Sequence, residues 1–203
     1  MGKNGFIEGL WNGMKVEFGK VYSNPFVNAF KSINEADENK KLRVFDFDDT
    51  LVKTTSYIYI THKDGKKSKL TPGQYAVYKE RPGDQFDFKD FDKVKNPVKI
   101  KAYFELLRRM VRDSSRAVYI LTARSAYKPV YDFIRDSGIK DVFVVALGDN
   151  NPETKADWIE REIKNQGYDN VYFVDDSPKN VDAVRRRLNK YPTIRKKIQL
   201  VKG

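Results

Sequence analysis

Asp46-Phe47-Asp48-Asp49-Thr50-Leu51 places two carboxylates at i and i+2 directly after an apolar run, Leu42-Arg43-Val44-Phe45, that reads as a buried β-strand. Carboxylates so spaced, just past a strand, leave the sheet edge pointing into one crevice. Water solvates charges more cheaply than protein does, so this crowding needs a cation or catalytic work. Three further features fall at strand ends or helix starts: Leu121-Thr122-Ala123-Arg124, Lys155 soon after Pro152, and the pair Asp175-Asp176. A parallel sheet brings its C-terminal strand ends together, and open α/β sheets place their chemistry there. Converged in that way, Asp46, Asp48, Asp175, Asp176, Thr122 and Lys155 offer four carboxylates, one hydroxyl and one amine. An all-oxygen carboxylate set suits Mg2+ rather than zinc.

The elements that must position these groups alternate along the chain. Strands are expected over 42–47, 116–121, 142–147 and 170–174, with a further edge strand over 198–201. Helices are expected over 98–111, 126–136, 152–165 and from the Ser177-Pro178 N-cap pair to about Leu188. This alternation predicts an α/β, Rossmann-like fold: a mostly parallel sheet with helices on both faces. Residues 52–96 interrupt it directly after the acidic cluster. Tyr57-Ile58-Tyr59-Ile60-Thr61, the Asp64-Gly65 turn and Thr71-Pro72-Gly73 predict a small β-rich flap with a short helix, standing over the strand ends. Residues 1–41 read as a separate arm. Phe6, Leu10 and Met14 suggest an amphipathic helix that Asn24-Pro25 breaks, Phe26 to Ile33 is a second apolar piece, and 35–41 reads as a linker.

The chain has 203 residues, 40% of them hydrophobic, which suffices for one α/β domain, residues 42–203, with its extension. No apolar run approaches 18 residues, and Gly9, Asn12 and Gly13 interrupt any secretory core, so neither a membrane span nor a leader is expected, and the cytoplasm is the expected location. Cysteine is absent, which excludes disulfides, thiolate metal sites and cysteine nucleophiles. Of the net charge of +11, eight units lie between Arg185 and Lys202, a stretch without an acid. That segment is either a solvated final helix and tail or a surface for nucleic acid.

The ordered residues resemble the haloacid dehalogenase (HAD) superfamily, in its phosphatase branch. Asp46, Asp48 and Thr50 match its Asp-x-Asp-x-Thr motif, Thr122 its strand-end Thr or Ser, Lys155 its helix-start Lys, and Asp175-Asp176 its strand-end acidic pair. The likeness spans residues 42–190. It implies a phosphatase in which Asp46 attacks phosphorus and Asp48 serves as acid and then base. It further implies Mg2+ held by Asp46, the Asp48 carbonyl and Asp175, with Asp176 orienting metal-bound water. Thr122 and Lys155 would donate to the phosphoryl oxygens.

Duller readings stand beside these. Asp49 and Thr50 can cap the turn, Lys128 competes with Lys155, and Arg124 either reaches substrate phosphate or pairs with a structural carboxylate. His62, the only histidine, is expected to be exposed near a hairpin tip. Lys63, Lys66, Lys67 and Lys69 with Tyr57 and Tyr59 suit a phosphate backbone and stacked bases, or merely keep a hairpin soluble. Leu121-Thr122-Ala123-Arg124 and Leu70-Thr71-Pro72 are similar to small phage-encoded HAD hydrolases and to the phosphatase half of polynucleotide kinase-phosphatases, which implies nucleic-acid ends or nucleotides as substrates. Ile33-Asn34-Glu35 before Ala36 resembles the cleavage sites of phage prohead proteases, which implies a removable peptide over 1–35 and packaging in a virion. A nucleic-acid-binding protein working through its basic tail and a small-metabolite phosphatase remain the alternatives.

Overall fold

The computed structural model describes residues 40–201, together with two short strands of the arm, β1 (Lys15–Glu17) and β2 (Lys20–Tyr22). The body is built from β3 (Lys41–Phe45), β9 (Arg116–Thr122), β10 (Phe143–Ala146), β11 (Asn170–Asp175) and β12 (Arg195–Leu200). These five pair in parallel in the order β10-β9-β3-β11-β12. The fold is therefore α/β with a parallel sheet. Successive strands run outward from β3 on one side, then the chain returns to β11 on the other. The winding direction reverses between β3 and β11, and a crevice opens there at their carboxyl ends.

Strand alternation sends the side chains to two cores. Leu42 and Val44 of β3 pack with Trp158, Ile159, Val181 and Val184, which belong to helices over Pro152–Gln166 and Pro178–Leu188. Phe45 faces the opposite way, onto Phe104, Leu107, Val130 and Ile134, from helices over Lys101–Val111 and Lys128–Asp136. Both faces of the sheet are thus covered, as continuous apolar strands require.

Between β3 and the helix Lys101–Val111 the chain makes the insertion. Its neck is β4 (Val52–Lys53) paired antiparallel with β8 (Val98–Lys99). Above it, β5 (Ile58–Thr61), β6 (Lys67–Leu70) and β7 (Gln85–Asp87) form an antiparallel sheet in the order β6-β5-β7. Gly65 adopts φ +81° in the tight turn between β5 and β6. Helix α1 (Pro72–Val77) begins at Thr71, whose hydroxyl accepts from Gln74 N while the Gln74 side chain accepts from Thr71 N. The remaining helices are α2 (Lys101–Val111), α3 (Lys128–Asp136), α4 (Pro152–Gln166) and α5 (Pro178–Leu188).

Two boundaries differ from the pattern in the sequence because of pairing with distant strands. The helix expected from residue 98 begins at Lys101, because Val98 and Lys99 are recruited to close the neck. The edge strand expected over 198–201 starts at Arg195, because register with Asn170–Asp175 draws the basic residues into the ladder. The helix expected from Phe6 to Met14, the piece from Phe26 to Ile33, most of the linker and the Glu35-Ala36 bond lie outside the described residues. Where the arm is described it is extended: β1 and β2 pair antiparallel, and β2 adds to the edge of β10.

Several basic residues of the C-terminal segment have partners within the fold. Arg186 and Arg187 of α5 pair with Glu153 at 2.7 and 2.9 Å, and Arg187 also meets Asp157 and Glu160 across α4. Lys196 donates to the carbonyls of Leu188 and Tyr191. Among the described residues no helix is long and apolar enough to cross a membrane.

Candidate active site

Two carboxylates meet because two strands are in register. Phe45 of β3 pairs with Val174 of β11, so the next residues, Asp46 and Asp175, emerge side by side at the switch point. Asp46 N donates to Val174 O at 3.0 Å, which holds the chain there for one residue beyond β3. Both side chains are buried. Lys155 offsets their repulsion: its Nζ donates at 2.7 Å to Asp46 Oδ1 and at 2.7 Å to Asp175 Oδ2. It reaches them from the first turn of α4, whose start is set by the Asn151 cap and Pro152. Lys128, the rival lysine, is remote; it pairs with Asp132 on the surface of α3.

Asp175 is further secured by α5. Ser177 N donates to Asp175 Oδ1 at 2.8 Å, and Asn180 Nδ2 donates to both of its carboxylate oxygens at 3.0 Å. Asn180 was not among the residues singled out above. Its signal was present: it lies three residues past the Ser177 cap, and helical side chains tilt toward the N-terminus, here toward Asp175.

Carboxylate oxygens of Asp46, Asp175 and Asp176 lie within 4.8 Å of one another and could hold a divalent cation. The donors are hard oxygens, as Mg2+ prefers. The Asp48 carboxylate is not in this group; it turns toward Arg124. The electrostatics of the cluster are set by burial and by the crowding of like charges. Burial pushes the Asp46 carboxyl well above the usual range; Lys155 opposes this, while Asp175 and Asp176 add to it. Burial, then repulsion from Asp175, pushes Asp176 up to about 7. Burial disfavours the Lys155 charge, yet Asp175 and Asp46 outweigh it and hold its pKa above the usual lysine value.

A raised carboxyl pKa means that the cation-free native state retains a proton that the unfolded chain has released. Its stability therefore falls as pH rises from about 4 through about 7. In EDTA the unfolding midpoint is expected to drop between pH 5 and pH 8, and added Mg2+ should raise it most at pH 8. A cation at 100 times its dissociation constant, bound only to the native state, contributes about 2.7 kcal/mol. A midpoint indifferent to Mg2+ at pH 8 would remove the cluster from consideration as a cation site.

The loop after Asp46 carries the rest. Asp49 adopts φ +57°, a left-handed conformation that Asp tolerates better than most residues. Its Oδ2 accepts from Gly73 N at 3.0 Å, which ties this turn to α1 of the insertion. Thr50 Oγ1 lies 3.4 Å from Asp176 Oδ1. Thr122, buried at the end of β9, accepts from Arg124 N at 3.2 Å. Arg124 forks onto Asp48, with Nε to Oδ2 and Nη2 to Oδ1 both at 2.8 Å.

Asp48, Thr122 and Arg124 line a cavity of about 570 Å3, within the size range of small-molecule sites. Asp46, Asp176, Thr122 and Lys155 line the strand-end side, and Tyr75, Phe88 and Phe91 come from the insertion. Tyr75 Oη accepts from Asn150 Nδ2 at 2.6 Å, so the insertion also touches the loop before α4. Two of the insertion's lysines meet its tyrosines: Lys69 lies 4.2 Å from the Tyr57 ring centre and Lys89 4.9 Å from that of Tyr59. His62 is not the exposed tip residue expected. Its side chain is 19% exposed, with Nδ1 2.7 Å from Asp84 and Nε2 2.9 Å from Ser68, because the strand pairing folds it onto β6 and the start of β7.

Compared with known proteins, the chain matches no family model, no curated protein and no solved structure. The functional reading therefore rests on the site itself.

Proposed function

We propose that this chain is a Mg2+-dependent phosphomonoester hydrolase of the HAD phosphatase type, working through an aspartyl-phosphate on Asp46. The observation that carries the reading is the bridge Asp46–Lys155–Asp175 at the switch point, with Asp48 lining the same cavity. Asp46, Asp175 and Asp176 would hold the cation. When bound, Mg2+ would neutralise charge, which lets an anionic nucleophile meet an anionic ester.

The chain's own residues supply the remaining steps. An Asp46 carboxylate oxygen forms a bond to phosphorus as the bond from phosphorus to the ester oxygen breaks. The departing oxygen takes a proton from Asp48. Asp48 then accepts a proton from the water that attacks the aspartyl-phosphate, which frees Asp46 and inorganic phosphate. Thr122 Oγ and Lys155 Nζ donate to the phosphoryl oxygens through both steps. Burial of Asp46 and Lys155 strengthens these interactions by keeping water away.

In this reading the insertion acts as a small cap, and its aromatic side chains give π-faces to a base. Nucleotides or phosphorylated nucleic-acid ends are the substrates proposed. Hydrolysis of 4-nitrophenyl phosphate is expected with Mg2+ and should cease in EDTA. A panel of 3′-phosphorylated oligonucleotide, 5′-phosphorylated oligonucleotide, mononucleotide and sugar phosphate then ranks the esters. Turnover unaffected by EDTA, or none with any ester, would reject the proposal.

A further inference from the structure

Arg124 ends the strand β9 beside the cavity, and its guanidinium is only 4% exposed as a residue. Its forked edge, Nε and Nη2, is occupied by the two oxygens of Asp48 at 2.8 Å each. Its remaining nitrogen, Nη1, donates at 2.9 Å to the carbonyl of Phe91 and at 2.9 Å to that of Lys93. Its guanidinium carbon lies 5.4 Å from the Phe47 ring centre and 4.8 Å from that of Phe91. Four of the five guanidinium N–H groups are therefore committed. The edge that would take a phosphate in two-point contact is not open.

We propose that Arg124 is a positioning residue for Asp48, and that it makes the aim of Asp48 depend on the insertion; this rests on the phosphatase reading above. The guanidinium is planar, so a two-point contact fixes the plane and rotation of the carboxylate as well as its distance. A carboxylate has about four lone-pair sites, and the fork takes one on each oxygen. Thr54 Oγ1 donates to Oδ1 as well, at 3.5 Å, so the site left to exchange a proton with the ester oxygen or with water is on Oδ2. Without the fork, Asp48 could turn about its side-chain bonds, and proton transfer demands hydrogen-bond reach.

The other half of the contact belongs to the insertion. Phe91 lies in the 3₁₀ turn Lys89–Asp92, and Lys93 follows it. That turn is itself secured: the buried Asp90 accepts from Lys95 Nζ at 2.5 Å and from Tyr57 N at 3.1 Å, and Ser56 Oγ donates to Asp90 O at 3.3 Å. Hydrogen bonds thus join Ser56 and Tyr57, just before β5, to the turn, the turn to Arg124, and Arg124 to Asp48. Correct seating of the insertion orients the acid; displacement of residues 91–93 would release it.

The leaving group tests this. An alkyl ester needs its departing oxygen protonated, whereas 2,4-dinitrophenolate leaves as a stable anion. Arg124→Lys keeps the charge and loses the fork. It is expected to slow hydrolysis of an alkyl phosphate by about 100-fold, within the range of general acid catalysis, and to slow 2,4-dinitrophenyl phosphate far less. In an Asp48→Asn background the added Arg124→Lys should produce no further selective loss, since the two residues act as one unit. Equal slowing of both esters by Arg124→Lys, or additive effects of the two substitutions, would overturn the proposal and make Arg124 a ligand of the phosphoryl group or a purely structural cation. Should Arg124→Lys fail to fold, Phe91→Leu removes one face of the stack and leaves both carbonyls; a smaller loss, confined to the alkyl ester, is expected, and equal loss on both esters overturns the idea. A wild-type protein inert to both esters would reject the phosphatase reading and this proposal together, while an active wild type with unselective variants would reject this proposal alone.

Discussion

Asp46→Asn is expected to lower kcat by about 10⁴-fold or more, as removal of a catalytic nucleophile does in other enzymes, while leaving the fold as stable as before or more so. The two effects have opposite signs for one reason. Asp46 is buried beside Asp175 and Asp176, and burial already pushes its carboxyl toward the neutral form. An amide of the same shape removes that unfavourable charge and keeps an oxygen for Lys155. Turnover and unfolding midpoint, measured on the same preparation in EDTA and in Mg2+, separate the roles. A variant that lost activity by unfolding would contradict the assignment, and one that kept activity would remove Asp46 as nucleophile.

Lys155→Met should produce the largest loss of stability. Its ammonium lies between Asp46 and Asp175 at 2.7 Å from each, and the three side chains are at most 8% exposed. Removing one partner from a buried ion pair costs about 3–5 kcal/mol, because the charge left behind is unpaired. For a chain of this size that lowers the midpoint by about 6–20 °C. The loss should be smaller at pH 5 than at pH 8, because a carboxyl raised by burial takes up a proton more readily at the lower pH. Mg2+ should recover part of it at pH 8 by supplying the missing positive charge. A shift of only a degree or two at pH 8 in EDTA would show that the two acids are not held as close neighbours by this lysine.

What could be read from the amino-acid order and what could not divide along physical lines. Local signals located most elements of the body. Ser177-Pro178 caps α5 and Pro152 opens α4, because such ends are decided by a few neighbouring residues. Asp64-Gly65 was legible as a turn for the same reason. Boundaries set by partners distant in sequence were not: β8 and the first half of β12 are strands only because β4 and β11 supply the ladder.

The site divides in the same way. By themselves, the residues determined that Asp46, Asp48, Thr122, Lys155, Asp175 and Asp176 fall at strand ends and helix starts of an α/β pattern, since periodicity and punctuation are local properties. Tertiary structure alone decided that Lys155 rather than Lys128 reaches the acids, and that Arg124 turns its fork to Asp48. It also decided that the arginines of α5 meet the acids of α4. Those outcomes depend on which charged groups become neighbours when the sheet winds in both directions from β3. A charge on its own has no preferred partner until burial removes the water that would otherwise solvate it.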